Sequence, residues 1–246
     1  MGLFEFKDKE GPGIGKNEKK APGYVTFFKV FGERFGNLVG LNLLYLFCCL
    51  PLFTIGAATA GFTYVLRNYS QRKHVETLHD FMAKCKEHFK KGLIVTFVDA
   101  ALLVLFYIAY KTWGSGELVE GGILQIIAIG FVLCLGYLFI CTNLYLFPMM
   151  VSFDLPLRKL VKNSMILAAA KLWRNLAMIA VNGLVFGLIF LFWPIPLPLL
   201  LALAFSFCGL FNNSLIYPVL VKHIAIPQEK PEEPQDEDDA VFHDTI

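Results

Sequence analysis

One carboxylate stands inside a clear apolar span of this 246-residue chain: Asp99, within Leu93–Trp113. At a helical rise of about 1.5 Å per residue it lies roughly 9 Å past Leu93. Holding a charge at that depth costs about 2.5–3.5 kcal/mol on insertion scales, so such a residue is read first as functional. Thr96, Asp99, Tyr107 and Tyr110 line up with Leu103 as one polar face of the same helix. Asn143, Asn182 and Asn212 lie in other apolar runs, as do Asn42 and Asn213. Amides bonding between membrane helices contribute under about 1 kcal/mol each, so their default role is to hold helices together. A site for a small solute requires several of them to converge with Asp99. The competing reading makes Asp99 a protonated carboxyl, or one bonded to a neighbouring helix as structural glue.

A second chemistry belongs to the cations. Residues 67–91 carry seven Lys and Arg, and residues 152–174 carry five. Lys84, Lys90, Lys91, Arg158, Lys159 and Lys162 stand beside apolar faces and are candidate contacts for anionic lipid headgroups, at about 1 kcal/mol each near a membrane surface. From Pro227 onward the balance reverses, with one lysine against eight acidic groups. Residues 229–239 are expected to compete with headgroups for the basic helices.

Enzyme signatures are missing. There is no P-loop, no G-x-S-x-G and no dinucleotide fingerprint. His74, His79 and His88 share a basic segment, but their spacing is wrong for a metal pair. The six cysteines form no C-x-x-C pair, and five sit in apolar runs as small hydrophobes. The expectation is a protein without enzymatic activity, cofactor, metal or nucleic-acid partner.

The elements that must position these residues follow from composition. Hydrophobic residues make up 56% of the chain and charged residues 17%. An ordinary soluble domain has about 45–50% and about 25%. With a mean hydropathy of +0.58, the chain reads as an all-α integral membrane bundle. Apolar runs cover Asn37–Leu66, Leu93–Trp113, Ile123–Val151, Asn175–Trp193 and Leu199–Val221. The first is either one long kinked helix or a hairpin turning near Pro51, so span length favours five transmembrane helices and charge favours six. The Lys/Arg bias places both basic segments, and with them the C-terminus, on the cytoplasmic side. If 37–66 is a hairpin, the basic N-terminal region joins them.

Between the spans, basic amphipathic helices are expected at about 77–91 and 155–170, lying on the membrane surface. Thr77-x-x-Asp80 reads as a capping box for the first, whose apolar face is Leu78, Phe81, Met82, Cys85 and Phe89. Residues 1–23, rich in Gly, Pro and mixed charge, and the acidic residues 223–246 are expected to be disordered, leaving 24–222 as the membrane domain. Tyr24, Phe27, Phe28, Phe31 and Phe35 form an aromatic stripe, read as lying in the headgroup region, the alternative being packing on another helix. The order apolar run, basic helix, span occurs over 37–113 and again over 123–193, which suggests a parallel internal repeat. Gly32/Gly36/Gly40 and Gly183/Gly187 have G-x-x-x-G spacing, Gly56/Ala60 and Ala57/Gly61 repeat it with alanine, and all are expected to pack the bundle internally rather than form a dimer.

The run Leu50-Pro-Leu-Phe-Thr-Ile-Gly-Ala-Ala-Thr-Ala-Gly-Phe-Thr-Tyr-Val65 resembles the hallmark segment of the YesL-like family of bacterial membrane proteins, a domain of unknown function. Asp80–Gly92 is similar to that family's aromatic, basic stretch, with Cys85 and His88 as departures. The resemblance covers about residues 24–222. It implies a multi-span protein often encoded beside carbohydrate ABC-transporter components, hence an accessory partner of their permease subunits. The alternative is a small-solute transporter or channel using Asp99 and the asparagines.

Overall fold

The computed structural model describes residues 23–114, 122–192 and 203–223, all of it helix and connections. Nine α-helices occur among the described residues: α1 Gly23–Glu33, α2 Phe35–Cys48, α3 Ile55–Ser70, α4 Thr77–Glu87, α5 Phe89–Gly114, α6 Ile123–Met150, α7 Leu157–Ala170, α8 Leu172–Leu191 and α9 Phe205–His223. The tails expected over 1–23 and 223–246, the loop 114–122 and the Pro194–Pro198 turn lie outside the described residues but for single boundary positions. Three helices, α5, α6 and α8, are long and apolar enough to cross a membrane, while α2 and Phe205–Val221 are shorter apolar helices. Ile126 (71% exposed) and Leu184 (63%) show that the outer faces of the long helices need an apolar solvent.

The run 37–66 is not one helix. α2 stops at Cys48, and a single 3-10 turn, Leu52–Thr54, precedes α3. Pro51 has no N–H to continue the ladder and sits extended at φ −78°, ψ 111°. The Thr54 hydroxyl then donates to the Cys48 (2.5 Å) and Pro51 (2.6 Å) carbonyls. The chain reverses there. Tyr45 shares a hydrogen bond with Thr59 (3.2 Å) and stacks on Phe62, Arg34 lies over the Tyr69 ring, and Glu33 pairs with Arg72 at 3.6 Å. Partners moving backwards in α2 as they move forwards in α3 define an antiparallel hairpin, so the start of α2 returns to the first basic loop.

α3 is the hub, and its small residues explain why. A Cβ on Gly56 would stand 2.1 Å from the Gly92 carbonyl oxygen, and one on Gly61 2.5 Å from that of Phe81. Backbones therefore touch where α5 crosses α3 and where α4 runs back along it. The apolar face expected of α4 is divided. Phe81 and Cys85 turn onto α3, and Leu78, Met82 and Phe89 remain exposed. Its start also differs from the expected capping box. Asp80 accepts from the Glu76 N–H, but Thr77 is the first helical residue and its hydroxyl bonds Tyr69. The aromatic stripe is divided: Phe27 is buried edge-on against Phe207 and Phe211 of α9 and Phe31 packs on Phe207, while Phe28 and Phe35 are exposed.

The element order α3–α4–α5 recurs as α6–α7–α8. Each set has a six-residue connection, 71–76 and 151–156, then a short helix, a one-residue break (His88; Lys171) and a long apolar helix. The sets are joined by Arg67, which donates to the Val151 carbonyl (3.0 Å) and Ser152 Oγ (2.8 Å), and by Lys91, which reaches Asp154 and the Leu155 carbonyl. These cations lie at the C-terminal end of α6, where helix carbonyls lack partners. The small-residue spacing packs the bundle at Gly56 and Gly61, but not at four of the other glycines that share it. A Cβ on Gly32, Gly36, Gly183 or Gly187 would meet nothing within 4 Å, so these glycines do not pack the bundle.

Candidate functional site: a polar cavity inside the bundle

Six helices line a cavity of about 460 Å³. Its polar lining comes from every part of the chain: Tyr45 of α2, Thr59 and Thr63 of α3, Asp99 of α5, Asn143 of α6, Asn182 of α8, and Asn212 and Asn213 of α9. Aromatic rings, among them Phe62, Phe139, Phe186 and Phe205, form much of the rest. A volume of this size, with apolar walls and a few convergent polar groups, falls in the range that small molecules occupy.

The polar groups meet in pairs. Asn143 Nδ2 donates to Asp99 Oδ1 at 3.3 Å and to the Phe139 carbonyl at 3.4 Å. Asn182 Nδ2 donates to Asn212 Oδ1 at 3.4 Å. In both pairs one amide oxygen is left over: Asn143 Oδ1 and Asn182 Oδ1 are buried and have no hydrogen-bond partner among the described residues. A buried amide oxygen without a donor costs about 1–3 kcal/mol, so this wall is set up to accept. Asn213 instead spends its Nδ2 on the Gly209 carbonyl of its own helix.

Of the residues singled out from sequence, Asp99, Asn143, Asn182 and Asn212 are brought together. Thr96 and Tyr107 are not. The Thr96 hydroxyl donates to the Gly92 carbonyl (3.0 Å) and accepts from the Gly56 N–H (2.9 Å), satisfying an orphan donor at the start of α3. Tyr107 and Tyr110 are 66% and 56% exposed on the outside of α5. The shared face of α5 therefore divides into a helix-capping part, a cavity part and an outer part. Asn42 is glue, accepting from the Ser206 N–H of α9 at 2.9 Å.

Tyr45, Thr59 and Thr63 were not singled out by sequence reasoning, because they become neighbours of Asp99 only through the hairpin. One signal was legible. Thr142-Asn-Leu-Tyr-Leu-Phe-Pro148 and Asn212-Asn-Ser-Leu-Ile-Tyr-Pro218 are alike, and both deliver an asparagine to the cavity five residues before a helix-interior proline.

The cations separate as well. Lys84 Nζ donates to Glu87 (2.6 Å) and lies over the Tyr64 ring, and Lys91 is held by Asp154. Lys90, Arg158, Lys159 and Lys162 are exposed. The Lys84 hydrogen bond holds the Glu87 carboxyl below its ordinary value. Burial lowers the pKa of neighbouring His88, with Lys84 and Lys91 adding to the effect and Glu87 opposing it. Among the described residues no cluster of three or more His, Cys, Asp or Glu stands ready to hold a metal.

Residues 38–110, which run from α2 through most of α5, match the family described as "Protein of unknown function, DUF624". The chain is 30% identical over 197 residues to the Bacillus subtilis (strain 168) protein named "Uncharacterized protein YteU", covering 77% of this chain and 84% of that one. No solved structure matches.

Proposed function

This chain belongs to the DUF624 family of bacterial proteins of unknown function, and from that premise we propose that it is a multi-pass cell-membrane protein that takes a small hydroxyl-rich solute into its intrabundle cavity. The reading rests on one observation: Asp99, Asn143, Asn182 and Asn212 converge on one cavity with two amide oxygens left to accept. A sugar or polyol supplies what that wall lacks, several hydroxyl donors together with a C–H face for the phenylalanine rings. The role in this reading is binding and passage, with the amides as hydrogen-bonding groups that neither attack nor shuttle protons readily at neutral pH. Asp99 serves as the strongest acceptor. The first basic loop and the C-terminus face the cytoplasm in this reading; labelling of a cysteine placed at Lys73 from outside intact cells would reverse it.

The test is thermal shift of the purified full chain in detergent against sugars, polyols and amines of similar size. A stabilising sugar or polyol, lost in Asp99→Asn and Asn182→Leu, supports the reading. Stabilisation by amines alone would replace it with a cation site. Flux of the same solute into liposomes holding only this protein separates passage from mere binding.

A second reading has its own observation. Gly32, Gly36, Gly183 and Gly187 carry open space where a partner's helix could approach. That favours an accessory protein docked on the permease subunits of a carbohydrate ABC transporter. Recovery of such permeases with the tagged native protein, lost on Gly183→Leu or Gly187→Leu, supports it; recovery unaffected by either substitution counts against this face.

A further inference from the structure

α7 carries a second site, on the face turned away from the bundle. Its inner side is sealed: Leu160, Ser164, Leu167 and Ala168 are buried. Its outer side is an open groove of about 540 Å³ lined by Leu157, Arg158, Val161, Lys162, Met165 and Ile166. The polar and apolar parts of this face are divided along the helix axis. Arg158, Lys159 and Lys162 occupy the first half. Met165 and Ile166, 43% and 55% exposed, occupy the second, followed by Leu172 and an 85% exposed Trp173.

Depth follows from what each half touches. Ser164 Oγ meets Met149 Sδ at 3.3 Å, next to the end of α6. Ala168 and Asn175 lie at the level of Tyr145, whose hydroxyl donates to Asn175 Oδ1 at 2.8 Å. From its first residue to its last, α7 thus travels from the end of α6 back along it by more than a turn. A helix placed so puts its cations at the headgroups and its apolar half among acyl chains. Arg158 and Lys162 are spaced i, i+4 and have no hydrogen-bond or ion-pair partner among the described residues, whereas Lys84 and Lys91 are engaged. From Arg158 to Ile166 is about 12 Å at helical rise, so one lipid can be held at both ends.

We propose that the Arg158–Ile166 face of α7 is a binding site for one anionic phospholipid, its phosphate on Arg158 and Lys162 and an acyl chain along Val161, Met165 and Ile166. The site is distinct from the cavity, and it narrows the lipid contacts expected of both basic helices to this one. Charge complementarity selects the occupant: two unneutralised cations beside an apolar channel match a phosphate joined to a hydrocarbon chain.

The test is native mass spectrometry of the purified full chain after exchange with phosphatidylglycerol or phosphatidylcholine of identical acyl chains at low salt. One phosphatidylglycerol should be retained in preference to phosphatidylcholine. Arg158→Gln and Lys162→Gln should each reduce its retention about fivefold. Lys162→Arg should preserve it, and Ile166→Asn should weaken it with the charge intact. Lys90→Gln, also an exposed cation, should change it less than about twofold. Circular dichroism checks that each variant keeps its helix content. Equal retention of the two lipids overturns the proposal. So does a loss from Lys90→Gln as large as from Lys162→Gln, which would mean a diffuse charge effect. Retention found only after removal of residues 228–246 would give the cations to the chain's own acidic segment.

Discussion

At the scale of single residues, the glycines divide by what a methyl group would meet. A methyl group on Gly56 or Gly92 would come within 3 Å of the other's backbone, which cannot move aside as a flexible side chain can. Gly56→Ala or Gly92→Ala should destabilise by about 1–3 kcal/mol or more, read as a lower midpoint in detergent thermal melts. Gly183→Ala, with open space, should stay within about 0.5 kcal/mol of the parent. His88 makes a prediction about pH. Burial holds its folded pKa below the ordinary 6.5, so the unfolded chain takes up the proton first as pH falls. Its contribution is complete above about pH 6.5 and is lost as pH drops through the lowered folded value. Melts across that window should show stability falling with acid, and His88→Gln should flatten that part of the curve. Burial against Gly61 pushes the Cys85 thiol up to about 12, so it should alkylate far more slowly at neutral pH than after unfolding.

At the scale of elements, the two contacts that join the α3–α4–α5 set to the α6–α7–α8 set are unequal. Arg67 is a partly buried cation with two short hydrogen bonds onto the end of α6 and a face on the Tyr64 ring. Lys91 binds an Asp154 side chain that is fully exposed. Arg67→Ala should cost about 2–3 kcal/mol, because buried acceptors at a helix end lose a charged donor. Lys91→Ala should cost less than about 1 kcal/mol, since water replaces the pair. Comparative melts of the two variants check the ranking, and similar losses would mean that Lys91 matters through its Leu155 carbonyl bond. That Arg67 belongs to the first basic segment is legible in sequence. Its acceptor, 84 residues away, is not, because nothing local marks Val151 as the carbonyl left without a partner.

At the scale of the whole molecule, charge opposes charge. The eight acidic groups after Pro227 and the cations of α7 belong to one chain. Truncation after Pro227 should strengthen retention of anionic lipid at low salt and change it little at high salt, where the Debye length shrinks to about 3 Å near 1 M. Lipid retention measured with and without residues 228–246 at both salt levels checks it, and no change at low salt would leave that segment a solvating one.

Composition and periodicity alone determined that this is an all-α membrane bundle, where its apolar helices lie, and that Asp99 and the asparagines are the polar groups within them. Those conclusions depend on local quantities: residue volume, transfer free energy and the 3.6-residue repeat. The family, too, was legible in the run from Leu50 to Val65, since its glycines and alanines are what permits backbone contact with α4 and α5. Only the tertiary structure decided which polar residues share a site. Periodicity assigns a residue to a face of its helix but is silent about what stands opposite. Thr96 and Asp99 are one turn apart, yet one caps α3 and the other lines the cavity. The reversal at Pro51 belongs in the same class. A proline shows that a helix must break, but the direction of the next helix is set by Tyr45 meeting Thr59 and Phe62 and by Arg34 meeting Tyr69, contacts that exist only once the chain has folded back.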